Sequence, residues 1–300
     1  MRPSTILLGI LPIICDALNI IQSNDDGWAE INIRETYNSL SAAGYNSIIS
    51  APAENQSGTG SRDEEPEEVG DEGCQFGSCP PNSPAIGRNE SEPRFNYVNS
   101  FPVTSIRHGI EVLSEEFFSG PPELAITGPN VGSNLGIVTQ FSGTVGAAVE
   151  AIKLGIPAVA FSGSSGKQTG WNVNVENYVR VYAALVVNVT EALTGGGEGE
   201  RPFLPDGVWL NVNFPKVDSR CQSPSDFKFV LSRIYPKVPF VGEDDVETCG
   251  SHRLPIERKV VGTPGCYASI SVGEENKTTA PRRAQAFVLN RLRPILSCLP

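Results

Sequence analysis

The sequence predicts an α/β protein with a mostly parallel sheet covered by helices on both sides, and three observations carry that prediction. Short runs that are apolar on both faces recur along the chain: LNIIQ (18–22), NSIIS (46–50), ELAIT (123–127), AVAF (158–161) and VWLNVNF (208–214). Strands of that kind belong in a sheet with no solvated face. Helical patterns separate the first three runs, and that alternation builds βαβ units. Several of the runs end in turns rich in Gly, Asn and small hydroxyls, the residues that make tight connections.

The first strand runs into two adjacent carboxylates, Asp25 and Asp26, within IIQSNDDG. A helix with Ile33, Tyr37 and Leu40 on one face follows, stops at Gly44, and leads to the second strand. Residues 60–94 are acidic and rich in Pro and Gly, and read as a long solvated loop pinned by Cys74 and Cys79, with a flap over a nearby site as the sharper alternative. TGGGEGERP (194–202) reads as a flexible connector. Beyond Pro215 the alternation stops. FKFVL and YASISV read as an extended β arm, and PRRAQAFVLNRLRPIL as a terminal helix with Pro281 at its start. The core spans 18–215, and the arm and helix span 216–300.

Residues 1–17 read as a secretory signal: Arg2 near the start, an apolar stretch from Ile6 to Ile14, and small residues at Cys15 and Ala17. That stretch is too short to cross about 30 Å of hydrocarbon. Cleavage after Ala17 leaves six cysteines, an even number suited to an oxidising compartment and three disulfides. Sequons at Asn55, Asn89, Asn188 and Asn276 agree with a secreted glycoprotein, with Asn55 expected to stay unmodified because Ser57 belongs to the predicted site. A formal net charge of -11 with 23 Lys+Arg argues against a nucleic acid duplex or an anionic membrane as partner.

In a parallel α/β sheet, ligands gather beyond the carboxyl ends of the strands. Unit charges 4 Å apart repel by roughly 4 kcal/mol at an effective dielectric near 20, so Asp25 and Asp26 invite a cation between them. A helix N-cap explains one aspartate, but not two. The turn after the second strand offers Ser57, and GPNVGSNLG after the third offers Asn130 and Asn134. Two carboxylates with neutral oxygens suit a hard divalent ion, Mg²⁺ or Mn²⁺. Ser142, Gly143 and Thr144 open the next helix, and a helix start with free N–H groups is a phosphate cradle as well as a cap. Lys167 lies in the loop after AVAF, and Trp171 beyond it offers a stacking surface.

Five blocks, IIQSNDDG, APAENQSG, ITGPNVGSNLG, FSGTVGAAVEAIKLGIPAVAFS and WLNVNFP, resemble the SurE family of metal-dependent phosphatases and nucleotidases in order and spacing. The resemblance implies a Rossmann-like, doubly wound sheet followed by a β-hairpin arm exchanged between subunits, hence a homodimer or tetramer. It implies hydrolysis of a small phosphomonoester with one divalent cation, held by Asp25, Asp26, Ser57 and Asn130. Asp25 or Asp26 would act on the attacking water. Asn134 and Ser142 to Thr144 would lie against the phosphate. Two departures stand out. Thr104 occupies a position where the family usually has an aspartate, and the arm sequence lacks the family's Asp and His. The signal and acidic insertion suggest a secreted eukaryotic branch. One competing motif, Arg107-His108-Gly109, begins the active-site signature of histidine acid phosphatases, but Glu111 replaces that signature's second arginine and the segment reads as a helix interior. A second alternative is a secreted binding protein that keeps the fold without turnover.

Overall fold

The computed structural model describes residues 17–197, 199–237 and 242–300; the predicted apolar leader lies outside the described residues. Nine strands form one sheet: β1 (Asn19–Ser23), β2 (Asn46–Pro52), β3 (Ile86–Arg88), β4 (Phe95–Val98), β5 (Leu124–Val131), β6 (Ala158–Gly163), β7 (Val208–Phe214), β8 (Lys228–Ser232) and β9 (Tyr267–Glu274). Their order is β3-β4-β2-β1-β5-β6-β7-β9-β8. The six strands from β4 to β7 run parallel, winding outward from β1 to β4 and then returning to β5 on the other side of β1. The order therefore reverses between β1 and β5, the place where such sheets open a crevice.

The helices are α1 (Ile31–Ala42), α2 (Pro102–His108), α3 (Ser114–Phe118), α4 (Gly143–Lys153), α5 (Asn177–Thr194), α6 (Glu257–Gly262) and α7 (Arg282–Leu292). A π turn over Gly109–Leu113 joins α2 to α3. One face of the sheet, with Ile20, Ile126, Phe161 and Leu210, packs under α1, α5 and α7. The other, with Ile21, Ala125 and Ala160, packs under α2 and α4, whose Val145, Ala148 and Ile152 are buried. Helices on both faces explain why these strands lack polar alternation. Gly44, at φ 89°, ends α1 as expected, because a side chain resists that backbone conformation. Among the described residues, no helix is long and apolar enough to cross a membrane.

The predicted hairpin arm needs correction. Both C-terminal runs are strands, but they extend the main sheet: β9 pairs antiparallel with β7, and β8 pairs parallel with β9. Ala268, Ile270 and Val272 are fully buried, and so are Ser269 and Ser271 on the opposite side of the strand. A strand covered on both faces cannot project as an exchangeable arm. The terminal helix is present as α7, starting just after Pro281. The six cysteines among the described residues pair, as Cys74–Cys79, Cys221–Cys266 and Cys249–Cys298. The acidic insertion is more than solvated surface. It supplies edge strand β3, and its Val69 and Cys74 pack against Trp28, Ala51, Ala53 and Tyr97.

Candidate active site at the carboxyl edge of the sheet

Beyond β1 the chain folds back on itself. Asn24 Oδ1 accepts the Gly27 N–H at 3.1 Å, its Nδ2 donates to the Gly27 carbonyl at 3.0 Å, and Gly27 takes φ 101° to close the turn. Asp25 and Asp26 stand in that turn, 3% and 0% exposed. Neither is needed as a cap, because Glu30 caps α1 by accepting the Asn32 N–H at 2.6 Å.

Asp25 faces the start of α4. The Thr144 hydroxyl donates to its Oδ1, and the Gly143 and Thr144 N–H groups at the helix start favour its charged form. Burial still pushes its pKa up against these donors. Asp26 Oδ2 accepts the Val131 N–H at 2.8 Å and Oδ1 accepts from the Gln168 side chain. Burial first, and the neighbouring Asp25 charge second, raise its pKa to about 8. No Lys, Arg or His among the described residues relieves either carboxylate. The pair can be ionised together at neutral pH only beside an outside positive charge.

Asn130 is the last residue but one of β5, after a bulge, and its amide donates to the Gly132 carbonyl at 2.6 Å, so its orientation turns the carboxamide oxygen the other way. Ser57 is exposed and donates to Asn55 Oδ1 at 2.8 Å. Its loop is nonetheless anchored at the site, because the Gln56 N–H donates to the Asp25 carbonyl at 2.7 Å. Asn134 is buried behind Thr144; its amide donates to Ser162 Oγ at 2.8 Å and reaches Thr144 Oγ1 at 3.5 Å. Ser142 caps α4 by accepting the Val145 N–H at 3.1 Å. The helix start thus serves as a cap and as the seat of Asp25. Lys167 is exposed, and Trp171 is 37% exposed at the rim.

Arg107-His108-Gly109 lies in the α2 helix and the turn after it, with Arg107 ion-paired to Asp63 at 2.7 Å and Glu150 at 2.6 Å. Gly109 has a packing reason: a Cβ there would stand 2.5 Å from Ile21 Cδ1. At Thr104, the hydroxyl donates to Asp63 of the insertion at 2.8 Å.

Sequence reasoning missed Gln168, Gln75 and Glu257. Gln168 follows the carboxyl end of β6, so the strand-end argument that selected Asn130 reaches it too. Glu257, fully buried in α6, accepts from Asn211 Nδ2 at 2.6 Å and from the Gly136 N–H at 3.0 Å, beneath the loop carrying Asn134. Burial raises its pKa from 4.5 to about 7. The folded protein therefore binds a proton there that the unfolded chain has already lost. Stability from this group is complete below pH 4.5 and drains away as pH rises to about 7, by up to about 3 kcal/mol. Urea unfolding at pH 5 and pH 8 is expected to show a stability drop that is smaller in Glu257→Gln than in the parent by about that amount. Equal drops would refute the assignment.

A family model described as survival protein SurE matches residues 20–232. An acid phosphatase of Yarrowia lipolytica is 33% identical over 91% of this chain and 84% of its own length. A 5'-nucleotidase SurE of Lawsonia intracellularis is 29% identical over 67% of each chain. The crystal structure of SurE protein from Aquifex aeolicus shares the fold, with a TM-score of 0.59 at 22% identity, covering 86% of this chain and 93% of that one. The family match takes in the whole aspartate turn, the β5 and α4 segments that face it, and β7 beyond; the chain belongs to the SurE family.

Proposed function

We propose that this chain hydrolyses phosphate monoesters with the help of one divalent cation, Mg²⁺ or Mn²⁺. The observation that carries the reading is the pair of buried carboxylates with no positive partner among the described residues, standing where the strand order reverses. Relatives named acid phosphatase and 5'-nucleotidase SurE support the reaction class. Asp25, Asp26 and Asn130 fit a hard cation by donor type, and Ser57 joins them if its hydroxyl turns from Asn55. A bound cation supplies charge for the phosphoryl oxygens and acidifies water.

The chain's own residues do the rest. Asp25 or Asp26 takes the proton of the attacking water. Ser142, Gly143, Thr144 and Asn134 are assigned to the phosphoryl group, and the Thr144 hydroxyl reaches it as Asp25 turns from the helix start to the cation. Water exclusion at the buried aspartates strengthens each of these contacts. Three disulfides among the described residues support a secreted protein, because such bonds persist in oxidising compartments.

The test is hydrolysis of p-nitrophenyl phosphate and of nucleoside 5'- and 3'-monophosphates after exhaustive chelation, followed by titration with Mg²⁺ or Mn²⁺. Activity is expected to vanish on chelation and to return with metal. Full activity in chelator would sink the cation role, and silence under every cation would favour a binding protein.

A further inference from the structure

Asp26 is held from behind by two side-chain amides, the second of which comes from the acidic insertion. Gln168 Nε2 donates to Asp26 Oδ1, and Gln75 Nε2 donates to Gln168 Oε1 at 3.1 Å. The carboxylate fixes the direction of both amides. Beside the proposed cation Asp26 is ionised and offers only acceptors, so Gln168 presents its NH₂, which turns its oxygen toward the NH₂ of Gln75. The Gln75 oxygen is thereby directed onto the aspartate turn, where a Cβ on Gly27 would lie 2.4 Å from it. A side chain on Gly27 would have to displace the Gln75 amide.

The loop that carries Gln75 is firmly based. Cys74 is buried in the cluster around Trp28 and is bonded to Cys79. The Cys74 N–H donates to the Cys79 carbonyl at 3.1 Å, and the Gln75 N–H donates to the Ala53 carbonyl, at the end of β2, at 3.2 Å. Phe76, next in the loop, lies on Gly170, where a Cβ would come within 2.9 Å of its ring. The insertion therefore grips the loop of Gln168 at two successive residues. A loop that is only solvated surface has no use for that arrangement.

We infer that the Cys74–Cys79 loop is a positioning element of the active site: Gln75 orients Gln168, and Gln168 orients the carboxylate of Asp26 toward the cation. The inference rests on the cation reading above and adds to it a role for a segment far away in sequence. Neither glutamine touches the substrate or the reacting atoms; both act through Asp26. Groups placed this way behind a metal-binding carboxylate set its angle and restrict its motion.

Calorimetric titration of Mn²⁺ into the chelated, substrate-free protein reads this role apart from turnover. Gln168→Ala is expected to weaken binding about tenfold, the lower end of losses seen for outer partners of metal ligands. Gln75→Ala is expected to weaken it about threefold, and the double variant no more than Gln168→Ala alone, because Gln75 works through Gln168. Cys74→Ser with Cys79→Ser should match Gln75→Ala. Losses that add in the double variant, or wild-type affinity in Gln75→Ala, overturn the relay while leaving the cation reading intact. A parent protein that takes up no Mn²⁺ overturns both. Should Gln168→Ala fail to fold, Gln75→Ala and the cysteine pair, both in the insertion, decide the matter alone.

Discussion

Asp26→Asn is expected to lower turnover by about a thousandfold or more while the protein still folds, since loss of a proton-accepting group alone costs 10²- to 10⁴-fold. Asparagine fills the same space, and its oxygen still accepts the Val131 N–H that Asp26 accepts at 2.8 Å. Its NH₂ then faces the NH₂ of Gln168, so the second contact is lost or the Gln168 amide turns over. The charge that draws the cation is halved. Stability should respond in two opposite ways. Because burial and Asp25 raise the Asp26 pKa, native stability from this group falls as pH rises above the unfolded value, and the uncharged variant escapes that fall. In chelator at pH 8.5, Asp26→Asn should therefore melt at a higher temperature than the parent. Saturating Mg²⁺ or Mn²⁺ should reverse the order, since only the parent gains stability from tight binding. Wild-type turnover in the variant, or melting curves that keep one order with and without metal, would contradict the assignment.

Much of the sheet was legible because burial on both faces leaves a strand no reason to alternate. The exceptions have physical causes. In β4, FNYV, Asn96 interrupts the apolar pattern, yet its side chain is buried and donates to the Ile49 carbonyl at 3.1 Å. A polar residue that finds its partner inside the sheet looks like loop in the sequence. The same effect misplaced β9. The expected arm ignored how its serines find partners: Ser271 pairs with Ser232 across to β8 at 2.7 Å, which lets both faces be covered. Strands so far apart in sequence as β8 and β9 carry no local mark of which neighbour they choose.

Strand-end reasoning reached Asp25, Asp26 and Asn130 because β1 and β5 flank the reversal of strand order. It located the Ser57 loop without seeing that Asn55 occupies the Ser57 hydroxyl, a contact two residues long that depends on the local backbone. The start of α4 was legible as a set of donors. Their recipient, Asp25, lies 119 residues away in sequence. Gln75 was hidden by composition: a run of acidic residues reads as solvated chain, and the buried Val69 and Cys74 that anchor it are too few to change that reading. Gln168 bonds a carboxylate 142 residues earlier, and only the closed sheet brings them together.

Gly143→Ala separates catalytic geometry from stability. On helix propensity alone, alanine should stabilise α4 by about 1 kcal/mol. The surroundings oppose it. A Cβ at Gly143 would lie 2.8 Å from Asp25 Cβ, 3.0 Å from Pro102 Cγ and 3.2 Å from Asp25 Oδ2. Pro102 is rigid and opens α2, so the movement falls on Asp25, which is pinned by the Thr144 hydroxyl. Overpacking of this kind costs about 1–3 kcal/mol, partly offset by the propensity gain. Displacing the carboxylate proposed to be catalytic by a fraction of an ångström, or up to 1 Å, should cost far more in rate, and kcat/KM is expected to fall about 100-fold. Gly262→Ala, in α6 with nothing within 4 Å of the new methyl, is the control: it should keep kcat/KM and melt no lower than the parent. The diagnostic is the mismatch: a near-native melting temperature beside a large loss of kcat/KM and weaker Mn²⁺ binding. An alanine variant with parental kcat/KM would mean that Asp25 has freedom to move, and that the packing of α4 against the aspartate turn does not set the chemistry.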